Sequence, residues 1–261
     1  MQNDSWFHFS HLASEPNLAH AITTRIGGVS KPPYESLNLA FHTGDDPAAV
    51  SQNRALAAEA LGVSTIHFMD QIHSDRVVVA NDQADDKAAA PQCDALIANQ
   101  AGYAIGVLVA DCLPILFYDP RTRSIGAAHA GRKGTELQIA AKTAIAMRER
   151  FGTNPADLLV GIGAGICTDC YEVGGEVAAF WQNLPAACRS ALTETDGKFH
   201  IDLALANRQT LVACGVADNH IETLARCTRT DSAFFSFRRE GVTGRFAALI
   251  ALSQPRHEKA V

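Results

Sequence analysis

The sequence predicts an α+β protein, a single domain in which mixed β-sheets are flanked by helices. Apolar runs of strand length follow one another between residues 94 and 129, with turn residues between them. Segments with the spacing of amphipathic helices lie before and after these runs, but helices and strands do not alternate strictly. We therefore expect mixed sheets rather than a doubly wound parallel sheet.

Length and composition are those of an ordinary globular protein. The 261 residues are 47% hydrophobic and 19% charged, no repeat or linker divides them, and we expect one domain over residues 1–261. The net charge of −6 argues against nonspecific binding to nucleic acid or to anionic membranes. No apolar run reaches the roughly 18 residues that a membrane span requires. We expect a monomer or a weak oligomer.

The cysteines and the N-terminus predict a cytoplasmic protein. The seven cysteines are odd in number and widely spaced, which is not the pattern of a disulfide framework. The first residues, Met1 to His8, lack the charged and then apolar pattern of an export signal. Reduced thiols in the cytoplasm are therefore the expected state.

Turn and cap residues set the element boundaries in the first third of the chain. An acidic cap and a proline in the first turn favour a helix start at Asp46-Pro47, and Gly62 predicts the end of that helix. Residues 81–91 are polar and rich in alanine, and we expect them to form a surface excursion. Alternating or apolar segments predict strands at 6–9, 20–25, 65–70 and 76–80.

The central and C-terminal parts contain the most regular patterns. Residues 134–151 are the clearest helix prediction, because apolar side chains recur on one side before Gly152. Further helices are expected at 175–182 and 203–214, and the tail from Ser253 is polar. Strands are expected at 94–99, 103–110, 114–118, 124–129, 158–162, 220–224, 233–237 and 245–252.

Three residues at predicted strand ends are candidate metal ligands: His73, Cys112 and His129. Cys112 and the preceding Asp111 separate two apolar runs, and a core admits polar groups only where something satisfies them. Small residues stand beside all three candidates, which leaves room for a pocket at the strand ends. Three ligands from separate elements, with a fourth position open for chemistry, are typical of a catalytic zinc site.

Cys112 and Asp111 are the candidate catalytic residues. Cys112 could instead be the nucleophile of a cysteine hydrolase, with His129 as its base and Asp111 or His73 as the orienting group. Beside a metal-bound Cys112, Asp111 could act as a general acid or base, or it could orient a ligand. The residue types alone do not separate these interpretations.

Other histidine and cysteine patterns bear on the kind of metal site. A fourth protein ligand, such as His67 or Cys93, would close the site and favour a structural zinc module. A multicopper oxidase is disfavoured, because such centres draw on many histidines in His-x-His pairs and the chain has no such pair. Cys167-x-x-Cys170 is one pair without a second, which argues against a structural zinc site there and leaves a redox motif as the alternative.

Seven short motifs occur in a fixed order from about residue 20 to residue 250. They are Thr23-Thr-Arg-Ile-Gly-Gly-Val-Ser30, Ser36-Leu-Asn-Leu39, Gln71-Ile-His73, Ala110-Asp-Cys-Leu-Pro-Ile-Leu-Phe117, His129-Ala-Gly131, Cys170-Tyr-Glu-Val-Gly174 and Phe234-Phe-Ser-Phe-Arg238. Together they resemble the motifs of the YfiH-like, laccase-domain family. The resemblance implies the YfiH-like (CNF-like) fold and a zinc-binding trio at His73, Cys112 and His129.

The resemblance also implies an activity. Family members were first called multicopper polyphenol oxidoreductases, and are better known as purine nucleoside phosphorylases that also deaminate adenosine. We therefore expect zinc-dependent cleavage of adenosine, inosine and methylthioadenosine by phosphate to the free base and ribose 1-phosphate. The alternatives are a Cys112-dependent hydrolase or amidase, since a related member edits peptidoglycan precursors, and a copper-dependent polyphenol oxidase. Cu²⁺ could replace Zn²⁺ at the trio, because most sites bind Cu²⁺ more tightly.

Four residues are candidates for binding the nucleoside or phosphate. Arg25 matches the arginine of the family's Thr-Thr-Arg motif and could hold phosphate with two hydrogen bonds, while Asn38 could bond to ribose or base or could brace a turn. Lys133 and Arg238 lie in basic pairs that suit an anionic group or a solvated surface. The family has Trp-Arg where this chain has Arg132-Lys133, and lysine keeps the charge but loses the bidentate geometry of arginine.

Overall fold

The structure is a computed structural model, and it describes residues 6–80 and 90–253. The helices are α1 (Ser10–Ala13), α2 (Pro47–Leu61), α3 (Arg132–Glu136), α4 (Ile139–Phe151), α5 (Gly175–Gln182), α6 (Ala186–Arg189), α7 (Leu203–Ala213) and α8 (Phe237–Glu240). The strands are β1 (Leu18–Ile22), β2 (His67–Phe68), β3 (Val77–Val79), β4 (Ala95–Ala98), β5 (Ala104–Val109), β6 (Leu113–Asp119), β7 (Ser124–Ala130), β8 (Leu159–Ile162), β9 (Glu172–Val173), β10 (Leu192–Thr195), β11 (Lys198–Ile201), β12 (Ile221–Thr223) and β13 (Phe246–Leu252).

Two mixed sheets form the centre of the fold, as the sequence predicts. The larger has the order β12-β8-β6-β7-β4-β3, with antiparallel pairing in the middle and a parallel pair at each edge. The second has the order β1-β13-β5-β2, in which only β5 and β2 run parallel. A small antiparallel sheet of β10, β11 and β9 lies apart from them. The predicted α+β class is confirmed.

The buried side chains divide into layers on the two faces of each large sheet. Successive side chains of a strand point to opposite faces, so Leu96 and Leu116 pack toward the four-stranded sheet, with Ile105 and Val107. Ile97 and Ile115, one residue away, join the apolar cluster that includes side chains of α4 and α7. On the far side of the four-stranded sheet, side chains of β5 and β13 pack against α2. The strands near the centre are therefore buried on both faces, which explains their continuous apolar runs.

Helix α2 forms where its sequence signals predict. The side chain of Asp46 accepts a hydrogen bond from the backbone N–H of Ala48 at 2.9 Å, and Pro47 occupies the first turn. Gly62 ends the helix at φ 78°, a left-handed conformation that glycine adopts without steric strain.

The predicted continuous helix over 134–151 is wrong, because the structure has two helices there. Gln138 adopts φ 60° between α3 and α4 and breaks the helical path. Tertiary bonds hold α3 in its own orientation: Asn207 donates to Oγ1 of Thr135 at 2.9 Å, and Nε1 of Trp181 donates to Glu136 at 2.7 Å. These contacts outweigh the helical propensity of the joining residues.

The predicted strands at 6–9 and 233–237 are also wrong. Phe7 makes only an isolated bridge to Ile22, and the chain then turns into α1. Phe234 and Phe235 are completely buried, but they lie in a loop, and Ser236 caps α8 by accepting the backbone N–H of Arg239. Aromatic residues here fill the core without joining a sheet.

Two regions of the sequence predictions fall outside the described residues. They are the surface excursion expected at 81–91, apart from its last two residues, and the polar tail after Ser253. Among the described residues, no helix is both long and apolar enough to cross a lipid bilayer.

Candidate metal centre

Strand register brings Cys112 and His129 together. Strands β6 and β7 pair antiparallel with Leu113 opposite Ala130, so Cys112, just before β6, faces the end of β7. His129 lies opposite Pro114, one step inside the same hairpin end. Residues 17 positions apart in the chain thus become neighbours because a single hairpin joins them.

Asp94 brings His73 to this hairpin. Strand β4 pairs with β7, and the backbone N–H of His129 donates to the Asp94 carbonyl at 2.8 Å. The Asp94 carboxylate accepts the backbone N–H groups of His73 at 3.0 Å and of Ser74 at 2.5 Å, and the Ser74 hydroxyl at 2.7 Å. His73 sits in this turn at φ 58°, a left-handed conformation that these hydrogen bonds hold.

The side chains of His73, Cys112 and His129 converge. One donor atom from each lies within 4.8 Å of the other two, and the two imidazole rings meet edge to face with centroids 4.9 Å apart. Gly131 leaves room for this cluster: a Cβ at position 131 would lie 2.7 Å from Sγ of Cys112 and 3.6 Å from Nε2 of His129. Nδ1 of His129 points the other way, 2.9 Å from Oδ1 of Asp94.

Electrostatics favour the ionised thiol in this cluster. Burial opposes ionisation of Cys112, but His129 and His73 outweigh burial and lower the pKa of Cys112 to about 6. Burial also opposes protonation of His129, yet Cys112 and Asp94 raise the pKa of His129 to about 9. Hydrogen bonds from His129 and Ser74 outweigh burial at Asp94 and lower its pKa to about 2. The thiolate is the form of cysteine that binds metals.

The cluster forms part of the wall of a cavity of about 420 Å³, a size that suits a small organic ligand. Two arginines, two aromatic side chains and four further polar side chains also line this cavity. These residues are Arg238 and Arg245, Tyr171 and Phe237, and His42, Asp70, Gln71 and Asp111.

Comparison with known proteins identifies the family. The family model described as multi-copper polyphenol oxidoreductase laccase matches residues 19–253. The chain belongs to this laccase family. A protein of Deinococcus radiodurans named purine nucleoside phosphorylase is 42% identical over 255 residues, which cover 95% of this chain and 94% of that protein. A protein of the same name from Corynebacterium glutamicum is 40% identical, with 88% and 93% covered.

Solved structures of two similar proteins confirm the expected fold. YlmD from Geobacillus stearothermophilus is 34% identical and superposes with a TM-score of 0.88, covering 97% of this chain and 98% of that one. The YfiH protein of Bacillus licheniformis is 35% identical with a TM-score of 0.86, covering 90% and 93%. The resemblance to the YfiH-like family inferred from the seven motifs is therefore confirmed.

The donor set of this laccase-family chain fits a zinc ion. One thiolate and two imidazoles are ligands that Zn²⁺ prefers, and the Asp94 carboxylate behind His129 is the usual second partner of a metal-bound imidazole. Among residues 6–80 and 90–253, no fourth histidine, cysteine or carboxylate belongs to the group. His67 instead stacks on Tyr103 at 4.2 Å, and Sγ of Cys93 lies 3.6 Å from a backbone carbonyl oxygen, so neither closes the site.

Asp111 lines the cavity, and both oxygens of its carboxylate accept hydrogen bonds. Its oxygens accept hydrogen bonds from the hydroxyls of Thr228 at 2.6 Å and Ser236 at 2.7 Å, and from the backbone N–H of Arg238 at 2.6 Å. These bonds tie the residue before Cys112 to the segments that carry Thr228 and Arg238. The geometry therefore favours the orienting role over acid–base chemistry.

Of the four predicted substrate-binding residues, only Arg238 lines the cavity. Its guanidinium lies over the Tyr171 ring, with Cζ 5.2 Å from the ring centroid. Lys133 is exposed on α3 and does not line the cavity. Arg25 is paired elsewhere: it donates to Glu240 at 2.6 Å and lies over the Phe235 ring at 4.7 Å.

Asn38 is completely buried and braces the backbone instead of facing the cavity. Its amide donates to the carbonyl of Ala40, to Thr43 and to Asp45, and its oxygen accepts the backbone N–H groups of Ala40 and Arg245. The turn-bracing alternative describes this geometry. Asn38 acts on the site only through Arg245, whose backbone it holds.

Three residues near the cluster or cavity escaped the sequence predictions. Asp94 is the first residue of the predicted strand at 94–99 and lies between Cys93 and Ala95, and this polar interruption is the same signal that singled out Cys112. Arg245 begins a predicted strand and His42 follows a short apolar segment, so neither position has a pattern that marks it. Only the tertiary structure brings these two to the cavity.

Proposed function

We propose that this protein is a zinc-dependent purine nucleoside phosphorylase. It would cleave adenosine, inosine and methylthioadenosine with phosphate to free base and ribose 1-phosphate, and would also deaminate adenosine. The observation that carries the proposal is the convergence of His73, Cys112 and His129 on the wall of a cavity that also holds two arginines. The names of the relatives from Deinococcus radiodurans and Corynebacterium glutamicum support the substrate class.

His73, Cys112 and His129 would hold the zinc ion, which when bound would acidify a water molecule and orient the substrate. Asp94 fixes the other side of the His129 ring, so that Nε2 faces the cluster. Because the thiol of Cys112 ionises near neutral pH, the ligand set is ready at physiological pH.

Arg238 and Arg245 are the cations that would bind phosphate. Both line the cavity, and Nη1 of Arg245 donates to the carbonyls of Thr243 and Gly244, which orients its guanidinium. Arg245 is half-buried, and an arginine charge in such a place attracts an anion more strongly than one in open water. In phosphorolysis a phosphate oxygen bonds to the anomeric carbon of ribose as the bond from that carbon to the purine nitrogen breaks.

The aromatic side chains Tyr171 and Phe237 would flank the purine. Phe237 is 59% exposed, which is unusual for so large an apolar side chain and suits contact with a planar ligand. Burial and then the charge of Arg245 lower the pKa of His42. A neutral His42 at the cavity can donate one hydrogen bond or accept another, as the nitrogens of a leaving purine require.

A cysteine hydrolase is the second candidate, and one observation favours it. Asp94, His129 and Cys112 form a chain of hydrogen-bonding side chains in the order that activates a thiol nucleophile. Such an enzyme would act on an amide, as in peptidoglycan-precursor editing. His73 favours the metal site, because Asp94 already orients His129 and the hydrolase then leaves the imidazole of His73 beside Cys112 without a role.

The deciding experiment combines metal analysis with turnover. Purified protein of known zinc and copper content is incubated with adenosine, inosine or methylthioadenosine, with and without phosphate, and free base and inosine are separated by chromatography. We expect base release that requires phosphate, and a smaller phosphate-independent conversion of adenosine to inosine. Chelation should abolish both reactions, and Zn²⁺ should restore them.

Two variants separate the candidate mechanisms. His73→Ala should lose both the metal and nucleoside turnover, whereas His200→Ala, a half-buried histidine on β11, should lose neither. A His73→Ala protein that is free of metal yet keeps full nucleoside turnover would contradict the zinc phosphorylase, and the metal-free activity would then rest on Cys112 and His129. Restoration by Cu²⁺ alone, with oxidation of a phenol, would support the oxidase alternative.

A further inference from the structure

A second group of metal-binding side chains lies outside the candidate metal centre. The sulfur atoms of Cys167, Cys170 and Cys227 all lie within 4.8 Å of one another. The three residues are half-buried, so solvent reaches the group while the surrounding protein holds it. Among the described residues, this is the only such group besides the His73, Cys112 and His129 trio.

Backbone pairing sets the positions of the three sulfurs. Gly165 and Cys227 form a parallel bridge, and the backbone N–H of Thr228 donates to the Gly165 carbonyl at 3.0 Å. The turn Thr168–Cys170 then folds Cys170 back toward Cys167: the backbone N–H of Cys170 donates to the carbonyl of Cys167 at 3.1 Å. The third thiol therefore comes from a segment 57 positions beyond Cys170, as 227 − 170 shows.

The geometry suits a thiophilic cation better than a disulfide alone. Zn–S bonds of about 2.3 Å in a tetrahedral site place sulfur atoms about 3.8 Å apart, which small side-chain movements reach from the observed cluster. A disulfide needs two sulfurs and leaves the third without a role. The backbone N–H of Cys167 also donates to Sγ of Cys227 at 3.3 Å, and such a bond favours the thiolate.

Space for a fourth ligand lies beside two of the three thiols. Cys167 and Cys227 line a cavity of about 290 Å³, which is large enough for water or another small ligand. Asp202 and Arg226 line the same cavity. The cluster thus offers three thiols and a side that opens on this cavity, where Asp202 and Arg226 are the charged lining residues.

We propose that Cys167, Cys170 and Cys227 form a second cation site, which binds one Zn²⁺ through three thiolates. Binding would displace the remaining thiol protons to solvent, with no change in oxidation state. The segment that carries this site also borders the first cavity, since Ile166 and Tyr171 line it. The second cation would therefore join this segment to Cys227 and its neighbour Thr228, which donates to Asp111.

The test is zinc protection of individual thiols in the full-length reduced protein. Wild-type protein is treated with iodoacetamide with and without Zn²⁺, and each cysteine is quantified by peptide mass spectrometry. We expect Zn²⁺ to slow alkylation of Cys167, Cys170 and Cys227 together by an order of magnitude or more, and to leave Cys214 unchanged. Alkylation of Cys112 is quantified separately, so the absence of zinc binding at the first site can be distinguished from its absence at the second.

Metal content provides the second measurement. Wild type and Cys214→Ser should each bind one more equivalent of zinc than Cys170→Ser or Cys227→Ser. Cys214 is a matched control, because it is half-buried and its thiol lies near the Leu211 carbonyl, away from the cluster. Equal zinc content in all four proteins, or unprotected thiols in the zinc-loaded wild type, overturns the proposal.

Discussion

Oδ1 of Asp94 lies 2.9 Å from Nδ1 of His129, and both side chains are buried. The same carboxylate accepts the backbone N–H of His73, so one residue positions two of the three proposed metal ligands. The ring of His129 is thereby held with Nε2 toward the cluster. Second partners of this kind set both the orientation and the basicity of a metal-bound imidazole.

Replacement of Asp94 should weaken metal binding without removing a ligand. For Asp94→Asn we expect zinc affinity to fall roughly 10- to 100-fold, because the amide carries no charge and its NH₂ group would face backbone donors. Competition with a chromophoric chelator measures the change. Asp75→Asn is the control, since the side chain of Asp75 is 41% exposed and paired with Lys142. Equal zinc affinity in Asp94→Asn and wild type would show that Asp94 does not support the metal ligands.

Zinc binding should require glycine at position 131, because a side chain there would contact Cys112. Its φ of −70° is allowed for alanine, but a Cβ would lie 2.7 Å from Sγ of Cys112. Gly131→Ala should therefore displace the sulfur, lower zinc affinity at least about 10-fold and cost about 1–3 kcal/mol of unfolding free energy. Gly174→Ala is the matched control, because nothing lies within 4 Å of its Cβ position. Metal titration and thermal unfolding of both variants test this expectation.

The cavity arginines should control phosphate use. Arg238→Gln and Arg245→Gln should each raise KM for phosphate roughly 10- to 100-fold, which corresponds to about 1.5–3 kcal/mol for a charge-assisted hydrogen bond. Lys133→Gln should leave KM unchanged, since Lys133 is exposed outside the cavity. Initial rates over a phosphate series at saturating nucleoside provide the measurement.

Arg25 offers a second comparison for the phosphate site. Arg25→Gln should lower stability, because the half-buried Glu240 loses a partner at 2.6 Å, but it should not change KM for phosphate. A raised KM in Arg25→Gln or Lys133→Gln, with Arg238→Gln unaffected, would instead place the phosphate site at Arg25 or Lys133, outside the cavity.

His20 should make the protein less stable in mild acid. Its Nε2 accepts the backbone N–H of Phe9 at 2.8 Å, and burial, with smaller effects of His8 and His11, lowers its pKa to about 4. The unfolded chain takes up this proton near pH 6.5 and the folded chain does not, so stability is complete above pH 6.5 and falls as the pH drops toward 4. The loss is at most about 3 kcal/mol.

Denaturant titrations between pH 4 and 7 test the role of His20. The His20→Gln variant keeps an acceptor for the Phe9 N–H but has no titrating group, so its stability should depend less on pH over this range. His200→Gln is a control because His200 lies on the separate small sheet. If the wild type and His20→Gln lose stability in parallel, another group causes the acid sensitivity.

Local signals in the sequence were sufficient to predict features that depend only on residues nearby in the chain. Asp46, Pro47 and Gly62 delimit α2 because capping and left-handed glycine geometry are decided within one turn. The strands from 95 to 130 were predictable because burial on both faces requires continuous apolar runs. His73, Cys112 and His129 stood out as polar residues where such runs end.

Features that depend on strand register or on partners distant in the chain became visible only in the tertiary structure. Gln138 breaks a predicted helix because bonds from Asn207 and Trp181 orient α3, and no local pattern encodes those bonds. Arg25 and Asn38 match family motifs, yet ion pairs and backbone hydrogen bonds occupy them away from the cavity.

The proposed metal ligands show the same division. The sequence alone singled out His73, Cys112 and His129, because a thiol or imidazole at the end of a buried strand needs a partner. The pairing of β6 with β7 and of β4 with β7 decided that these partners are one another, and placed Asp94 behind them. Likewise Cys167 and Cys170 were visible as a pair, but the bridge from Gly165 to Cys227 supplied the third thiol. The sequence therefore identifies the candidate ligands, whereas long-range strand pairing brings them together.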